Sequence, residues 1–121
     1  MITETNTRRV EPDITVLTIG GRLTLGNTLM GVENAIKRLI EEGVRKLVLD
    51  VAGLDFVDSA GIGMLVSCAG QMEHQGGKVR IAGAKGRVKQ SFDIVHIHRI
   101  TPIDPDVETA CREMETGGAG E

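Results

Sequence analysis

The residues with the clearest chemical potential are the aspartate and the serine of the segment Val57-Asp58-Ser59-Ala60-Gly61. An apolar strand runs into a short loop here, and the loop delivers the hydroxyl of Ser59 to the start of a helix. A helix N-terminus offers backbone N–H groups without intrahelical partners and the positive end of the helix dipole, which suit a phosphate or another anion. Asp58 is expected either to cap the helix, the common role of such an Asp-Ser pair, or to be a polar neighbour of the hydroxyl.

The surrounding residues do not make Ser59 the nucleophile of a hydrolase. A nucleophile elbow has the pattern Gly-x-Ser-x-Gly, and Val57 occupies the position of its first glycine. His74 falls at the far end of the helix that Ser59 begins, and a rise of about 1.5 Å per residue places it out of reach. We therefore expect no hydrolase activity and no catalytic residues at this site.

The glycine-rich character of the chain raises nucleotide binding as an alternative. The basic loop Gly83-Ala84-Lys85-Gly86-Arg87 could meet a phosphate through Lys85 and Arg87. However, the chain lacks a Gly-x-x-x-x-Gly-Lys-Ser/Thr string, and Val66 follows Gly61-Ile62-Gly63 where a dinucleotide fingerprint requires Gly or Ala. A solvated turn at a helix start is the favoured interpretation of this loop, with a nucleotide site as the alternative.

The histidines and cysteines do not predict a metal or redox centre. His96 and His98 would point to one side of an extended segment, but no third ligand accompanies them, so surface histidines are expected. Cys68 and Cys111 fall at apolar helical positions and are expected to be small buried side chains in a reducing compartment. We expect no metal and no cofactor.

Strands alternate with helices along the chain, which predicts an α/β fold. The segment from Val44 to Ala82 is predicted to be one strand–helix–strand unit with parallel strands. In such folds functional groups collect at the carboxyl ends of strands, where Ser59 lies. In chain order we expect two strands between Thr7 and Leu23 separated by Pro12-Asp13, and then a helix capped by Asn27 or Thr28 and ended by Gly43. We next expect a central strand within Val44–Val51, a helix from Ser59 to near Gln75 and a strand at Val79–Ala82. The last expected elements are a short helix with Val88 and Phe92, a strand near Ile100, and a helix capped by Asp104 that ends near Met114.

Length and composition predict a small cytoplasmic domain. The chain has 121 residues, enough for one compact domain and too few for two. Its net charge of −3, its two phenylalanines and its lack of tryptophan and tyrosine are not typical of nucleic-acid binding. No apolar run is long enough to span a bilayer, and the N-terminus does not resemble a signal peptide. We expect a protein that binds neither nucleic acid nor membrane.

A known pattern is carried by Asp58-Ser59-Ala60-Gly61-Ile62-Gly63, by the preceding Leu54-Asp55-Phe56-Val57, and by Gly76-Gly77-Lys78-Val79-Arg80-Ile81-Ala82. These segments resemble the STAS family, and within it the bacterial anti-sigma factor antagonists. The resemblance extends from about Val10 to Met114. It implies the STAS fold, a small mixed β-sheet with about four helices packed mainly on one face. We expect this domain to occupy residues 1–115, followed by a disordered tail over residues 116–121.

The resemblance implies a binding module that is switched by phosphorylation. An unphosphorylated anti-sigma factor antagonist binds an anti-sigma factor, which is itself a serine kinase of the histidine-kinase-like ATPase type, and so frees a sigma factor. Phosphorylation of the serine that matches Ser59 ends this binding, and a PP2C-type phosphatase restores it. The alternative is a regulatory STAS module that binds nucleotide or is associated with a stressosome or a transporter.

The resemblance also implies which residues meet the partner. Many family members carry Asp where this chain has Thr24, in the loop after the second strand, and this loop is expected to lie near Ser59. Met64 is expected to face the partner rather than the core. The expected partner-binding residues are Arg22, Thr24, Asp58, Ser59, Ala60, Gly61, Ile62, Gly63 and Met64.

Overall fold

A six-stranded mixed sheet and four helices make up the computed structural model, which describes residues 4–116. The strands are β1 (Glu4–Val10), β2 (Ile14–Leu23), β3 (Lys46–Asp50), β4 (Leu54–Val57), β5 (Lys78–Ala82) and β6 (Ile103–Asp104). The helices are α1 (Asn27–Glu41), α2 (Ser59–His74), α3 (Gly86–Ile94) and α4 (Val107–Thr116), with a 3₁₀ turn at Ile97–Arg99. Of the predicted disordered tail, residues 117–121 lie outside the described residues.

The sheet has the strand order β1-β2-β3-β5-β6, and β4 pairs with β2 beyond the end of β3. The long strand β2 makes this possible because its first half pairs with β3 and its second half pairs with β4, with a register shift between Gly21 and Arg22. Strands β3 and β5 are parallel neighbours with α2 between them in the chain, which confirms the predicted strand–helix–strand unit. The carboxyl ends of all these parallel strands lie at one edge of the sheet.

The helices cover the two faces of the sheet unequally. Helices α1, α2 and α3 pack on one face over the larger apolar core, whose members include Leu17, Leu49 and Phe92. Helix α4 covers the other face, where Ala110 and Met114 pack on a smaller core from β2, β3 and β5. This arrangement confirms the predicted small mixed sheet with helices mainly on one face. Within residues 4–116, no helix combines the length and the apolar character that crossing a bilayer requires.

Strand β4 was not expected from the sequence. The sequence predicts a short loop between the strand within Val44–Val51 and Ser59, whereas Leu54–Val57 form a short strand against the end of β2. Leu54 and Val57 are buried and the two residues between them are not, so the segment lacks the strict alternation that marks a half-buried strand. The consequence for the site is that a paired strand ends one residue before Ser59.

The segment between α3 and β6 differs from the predicted strand near Ile100. His96 has left-handed backbone with a φ of 56°, and a 3₁₀ turn follows it, so the two histidines are not part of an extended segment. Their rings are exposed and meet edge to face at 5.9 Å between centroids. Ile97 between them is buried, Ile100 is 56% exposed, and the strand itself begins three residues later at Ile103.

Two of the helix caps predicted from polar residues, those of α1 and α4, are wrong. Helix α1 begins after Gly26, whose φ of 135° favours glycine, and neither Asn27 nor Thr28 provides a side-chain cap. At α4 the cap is Asp106, whose Oδ1 accepts the N–H of Thr109 at 2.8 Å. Asp104 is instead buried in β6, where it accepts hydrogen bonds from Arg80 Nε at 2.7 Å and Nη2 at 3.1 Å.

Candidate functional site at the start of helix α2

The side chain of Ser59 is exposed on the first residue of α2. Strand β4 ends at Val57, and Asp58 is the single residue between the strand and the helix, with extended backbone at φ −98° and ψ −179°. Because Val57 is buried against the core and Asp58 is fixed by hydrogen bonds, the first turn of α2 has a defined position at the carboxyl edge of the sheet. The structure therefore presents the Ser59 hydroxyl to solvent at a helix N-terminus, as the sequence predicts.

Asp58 joins the start of α2 to the loop between β2 and α1. Its Oδ1 accepts the N–H of Gly61 at 2.8 Å, which confirms the predicted helix cap. Its Oδ2 accepts the N–H of Leu25 at 3.0 Å, and its own N–H donates to the carbonyl of Leu23 at 3.2 Å. One residue thus connects two loops, and the loop that contains Thr24 lies beside Ser59 as expected.

The electrostatics of Asp58 follow from these contacts. Burial alone would raise the pKa of its carboxyl, but the backbone N–H groups of Leu25 and Gly61 outweigh burial and hold the pKa below its usual value. Asp58 is therefore a carboxylate at neutral pH, directly beside the Ser59 hydroxyl. A second negative group on Ser59 would share this helix N-terminus with the charge of Asp58.

We predict that Asp58→Ala lowers the free energy of unfolding by about 1–2 kcal/mol near neutral pH, since it removes a helix cap and the bond to Leu25. The lowered pKa means that this stabilisation is present above the usual carboxyl pKa of 3.8 and is lost as pH falls through the folded-state value. The stability difference between wild type and variant should therefore shrink below about pH 4. Urea unfolding of both proteins across this range measures it.

The matched control is Asp106→Ala, which removes a helix cap of the same type at α4 without touching the Ser59 loop. Both variants lose a cap, but only Asp58→Ala releases a neighbouring loop, so only it should accelerate amide hydrogen exchange at Leu25. A stability difference between Asp58→Ala and wild type that stays constant down to pH 3 would contradict this role of the carboxylate.

The residues after Ser59 differ in how much surface they offer. Ala60 and Ile62 are half-buried, and Gly63 is exposed on the second turn. Gly61 is buried, and a Cβ added there would lie 2.5 Å from the carbonyl oxygen of Leu23. The predicted contact surface therefore includes Ser59 and Gly63 as exposed groups, whereas Gly61 holds the helix close to β2.

The prediction that Met64 faces a partner is wrong. Its side chain is only 6% exposed and belongs to the larger core. The Sγ of Cys68 lies 3.7 Å from the Sδ of Met64, one helical turn away, so both sulfurs point inward. Burial raises the pKa of the Cys68 thiol to about 11, which agrees with the predicted small buried side chain.

Arg22 and Thr24 lie at the end of β2, on the strand and loop that contact the Ser59 segment. Thr24 is half-buried, between the two residues whose backbone groups bond to Asp58. Arg22 is exposed and pairs in register with Phe56 of β4, with its guanidinium carbon 4.6 Å from the centre of that ring. The structure thus brings both predicted residues to the same edge as Ser59.

The basic loop at Lys85 and Arg87 reaches the same edge from β5. Both side chains are exposed at the start of α3, where no side chain caps the helix, and the guanidinium of Arg87 lies 5.4 Å from the centre of the Phe56 ring. Two arginines therefore flank one aromatic ring, and sequence reasoning did not identify Phe56 as their meeting point. The only available signal was that Phe56 is one of two aromatic residues in the chain.

The reactive group that Ser59 provides at this edge is an exposed hydroxyl. His74 ends the 16-residue helix that Ser59 begins, about 22 Å away at the helical rise, so no histidine of α2 can activate the hydroxyl. Among residues 4–116, no cluster of three histidines, cysteines or carboxylates could hold a metal ion. An exposed hydroxyl at a helix N-terminus is well placed to receive a phosphoryl group from another protein.

Comparisons with known proteins agree with this fold. BtrV of Bordetella bronchiseptica, a protein that carries the name anti-sigma factor antagonist, is 27% identical over 85 residues, which cover 70% of this chain and 73% of BtrV. An anti-sigma factor antagonist structure from Thermotoga maritima superposes with a TM-score of 0.83 at 18% identity, covering 92% of this chain and 94% of that one. SpoIIAA of Bacillus superposes in its phosphorylated form with a TM-score of 0.67 at 17% identity, covering 91% and 98%. The sequence profile of the STAS domain matches residues 7–110, and the chain therefore belongs to the STAS domain family.

Proposed function

We propose that this chain is an anti-sigma factor antagonist whose binding is switched by phosphorylation of Ser59. The observation that carries the proposal is the exposed Ser59 hydroxyl at the capped N-terminus of α2, at the edge where the β2–α1 loop also lies. The names of BtrV and of the structural neighbours support the regulatory class. In this proposal the chain is a cytoplasmic binding module without an activity of its own.

The partner in this proposal is an anti-sigma factor that is a serine kinase of the histidine-kinase-like ATPase type. The unphosphorylated chain binds it and frees a sigma factor, and phosphoryl transfer from ATP to Ser59 ends the complex. A PP2C-type phosphatase restores the binding form. Support comes from SpoIIAA, a structural neighbour that has been solved in unphosphorylated and phosphorylated forms.

The geometry at Ser59 fits a switch that acts on the partner rather than on the fold. The positive end of the α2 dipole favours a phosphate at this position, so the domain should tolerate it. A partner packed over the same edge would instead meet the new charge beside the Asp58 carboxylate. The modification therefore adds local repulsion and desolvation cost at the contact surface, which is where it is needed.

We predict that Ser59→Ala binds the anti-sigma factor about as well as wild type but accepts no phosphate. Alanine removes the hydroxyl without adding bulk, and Asp58 rather than Ser59 supplies the side-chain cap of α2, so the first turn should keep its conformation. The test is mass spectrometry of the intact chain and its peptides after incubation with ATP and a kinase-type anti-sigma factor encoded beside its gene.

Ser67→Ala is the matched control, since Ser67 is an exposed serine of the same helix, two turns from the site. It should be phosphorylated on Ser59 at the wild-type rate. Phosphate found on Ser59→Ala under the same conditions would place the acceptor elsewhere. A wild-type chain that neither binds nor is phosphorylated by any such kinase would overturn the proposed function.

A further inference from the structure

Leu25 is the most exposed large apolar side chain in residues 4–116, at 78% of its full accessible area. It lies in the loop between β2 and α1, and its backbone N–H donates to Asp58 Oδ2 at 3.0 Å. The residue that fixes its backbone is therefore the residue that caps α2 beside Ser59. Single exposed leucines are common and need no explanation. This one differs because it is held in place at the edge where Ser59 is presented.

The local backbone keeps the Leu25 side chain out of the core. Leu23, two residues earlier, is fully buried and accepts the N–H of Asp58 through its carbonyl. Gly26, the next residue, has a φ of 135° and turns the chain directly into α1. Leu25 is thus fixed between a buried anchor on one side and a helix start on the other. An apolar side chain on an ordered backbone loses little conformational freedom when a partner covers it.

A second apolar side chain extends this surface. Met30, on the first turns of α1, is 56% exposed, and its N–H donates to the carbonyl of Gly26 at 3.1 Å. The segment that leads from β2 into α1 therefore presents two exposed apolar side chains within a few residues of the Asp58 bond. The Asp58 bonds to Leu25 and Gly61 hold this segment next to the start of α2, so a partner that reaches Ser59 has these apolar side chains beside it.

We propose that Leu25 is an apolar anchor for the anti-sigma factor, occupying an apolar pocket on the partner next to the site that receives Ser59. This inference rests on the proposed function and adds to it the chemistry of the partner's surface. The phosphate acts through charge at Ser59, whereas Leu25 supplies apolar contact that does not depend on phosphorylation. In this proposal Leu25 contributes to the affinity for the partner and Ser59 switches the binding, and both residues lie at the same edge of the sheet.

The chain offers a closely matched control residue in Ile94. It is 77% exposed, and it ends α3, the helix whose first residues lie at the Ser59 edge. Ile94 lies about 12 Å along α3 from the first residue of that helix, and it belongs to neither of the two segments that Asp58 joins. Leu25→Ala and Ile94→Ala therefore remove similar amounts of exposed apolar surface, one inside the proposed contact and one outside it.

The experiment measures binding of the unphosphorylated chain to the anti-sigma factor that phosphorylates Ser59, by isothermal titration calorimetry. Leu25→Ala should weaken binding by about 10- to 30-fold, the loss typical of removing an interface anchor, and Ile94→Ala should stay within about twofold. Leu25→Met, which keeps an apolar side chain of similar volume, should retain most of the affinity. In the kinase assay Leu25→Ala should raise KM and leave kcat nearly unchanged, since the Ser59 hydroxyl is untouched.

Binding of Leu25→Ala within twofold of wild type would overturn this inference, and Ser59 phosphorylation in the same sample would leave the proposed function standing. A melting temperature lowered in Leu25→Ala but not in Ile94→Ala would also overturn it, because the residue would then serve folding rather than binding. Loss of binding in both alanine variants would equally count against a local anchor. The proposed function itself is tested separately, by whether wild-type Ser59 receives phosphate.

Discussion

Phosphorylation of Ser59 is expected to weaken binding to the anti-sigma factor by about 30- to 5,000-fold while the domain remains folded. The modification adds about −1.5 to −2 charges at pH 7. The chain already carries a net charge of −3, and the Asp58 carboxylate lies at the same helix N-terminus. An uncompensated charge at an interface costs on the order of 2–5 kcal/mol, which corresponds to this range of affinity.

The fold should survive the same modification because the helix N-terminus stabilises an anion. Ser59 is exposed, so its phosphate needs no buried space, and the Asp58 bonds to Gly61 and Leu25 do not involve the serine side chain. The far-ultraviolet circular dichroism spectrum and the melting temperature should therefore change little. The largest effect of the phosphate should fall on the partner's affinity.

The comparison uses the unmodified chain, the phosphorylated chain and Ser59→Asp, each titrated with the anti-sigma factor and each melted alone. Ser59→Asp should reproduce only part of the loss, since it carries one charge on a shorter side chain. Ser67→Asp adds the same charge two turns along α2 and serves as the control, with binding expected close to wild type. Equal affinities for all forms would remove the electrostatic switch, and a collapsed melting curve on phosphorylation would replace it with local unfolding.

The site could be predicted from the sequence better than several elements of the fold. The Asp58 cap and the exposed Ser59 depend on contacts within a few residues, which local patterns describe well. The α/β alternation and the parallel pairing of β3 and β5 also follow from short-range periodicity. Such features could be predicted because the residues that decide them are close together in the chain.

Two of the errors have the opposite property, since each depends on a partner far along the sequence. Asp104 resembles a helix cap because it precedes Pro105, but its carboxylate accepts a hydrogen bond from Arg80 of the neighbouring strand. The side chain that caps α4 is instead that of Asp106. The segment before Ser59 forms a strand because β2 extends past the end of β3, and the backbone of this extension pairs with Leu54–Val57. Local preference cannot settle such cases, because tertiary pairing overrides it.

The exposure of Leu25 and Met64 at the site could not be predicted from local sequence either. An apolar residue in a loop and a methionine beside a site both look ambiguous in sequence. The direction in which each points depends on the packing of α1 and α2 against the sheet. The structure exposes Leu25 and buries Met64, which reverses the prediction that Met64 meets a partner and identifies a residue that the sequence analysis did not select.

The close contact between α2 and β2 leads to a second large expected effect, from substitution of Gly61. A Cβ at Gly61 would lie 2.5 Å from the carbonyl oxygen of Leu23 and 2.8 Å from a methyl group of Val57. One of these neighbours is backbone, so no change of side-chain rotamer relieves the contact. The same Leu23 carbonyl accepts the N–H of Asp58, so displacing it also disturbs the bond between the two loops of the site.

Gly63, two residues later in the same helix, is the matched control because a Cβ there meets nothing within 4 Å. Replacing either glycine by alanine brings a similar gain in helix propensity, about 1 kcal/mol, so the difference between the two variants isolates the cost of packing. We expect Gly61→Ala to be less stable than Gly63→Ala by about 1–3 kcal/mol in urea unfolding, the usual cost of overpacking.

The two variants should also differ in their affinity for the anti-sigma factor. Gly61→Ala moves the first turn of α2 away from β2, and Ser59 and Leu25 lie on the two segments that this contact holds together. Its affinity for the anti-sigma factor should therefore fall along with its stability. Gly63→Ala should be as stable as wild type or more so, and any loss of affinity it shows would come from the added methyl group at the contact surface. Equal stability of the two variants would mean that α2 can shift freely at its first turn, and Ser59 would then not be held in the fixed position from which the switch is argued.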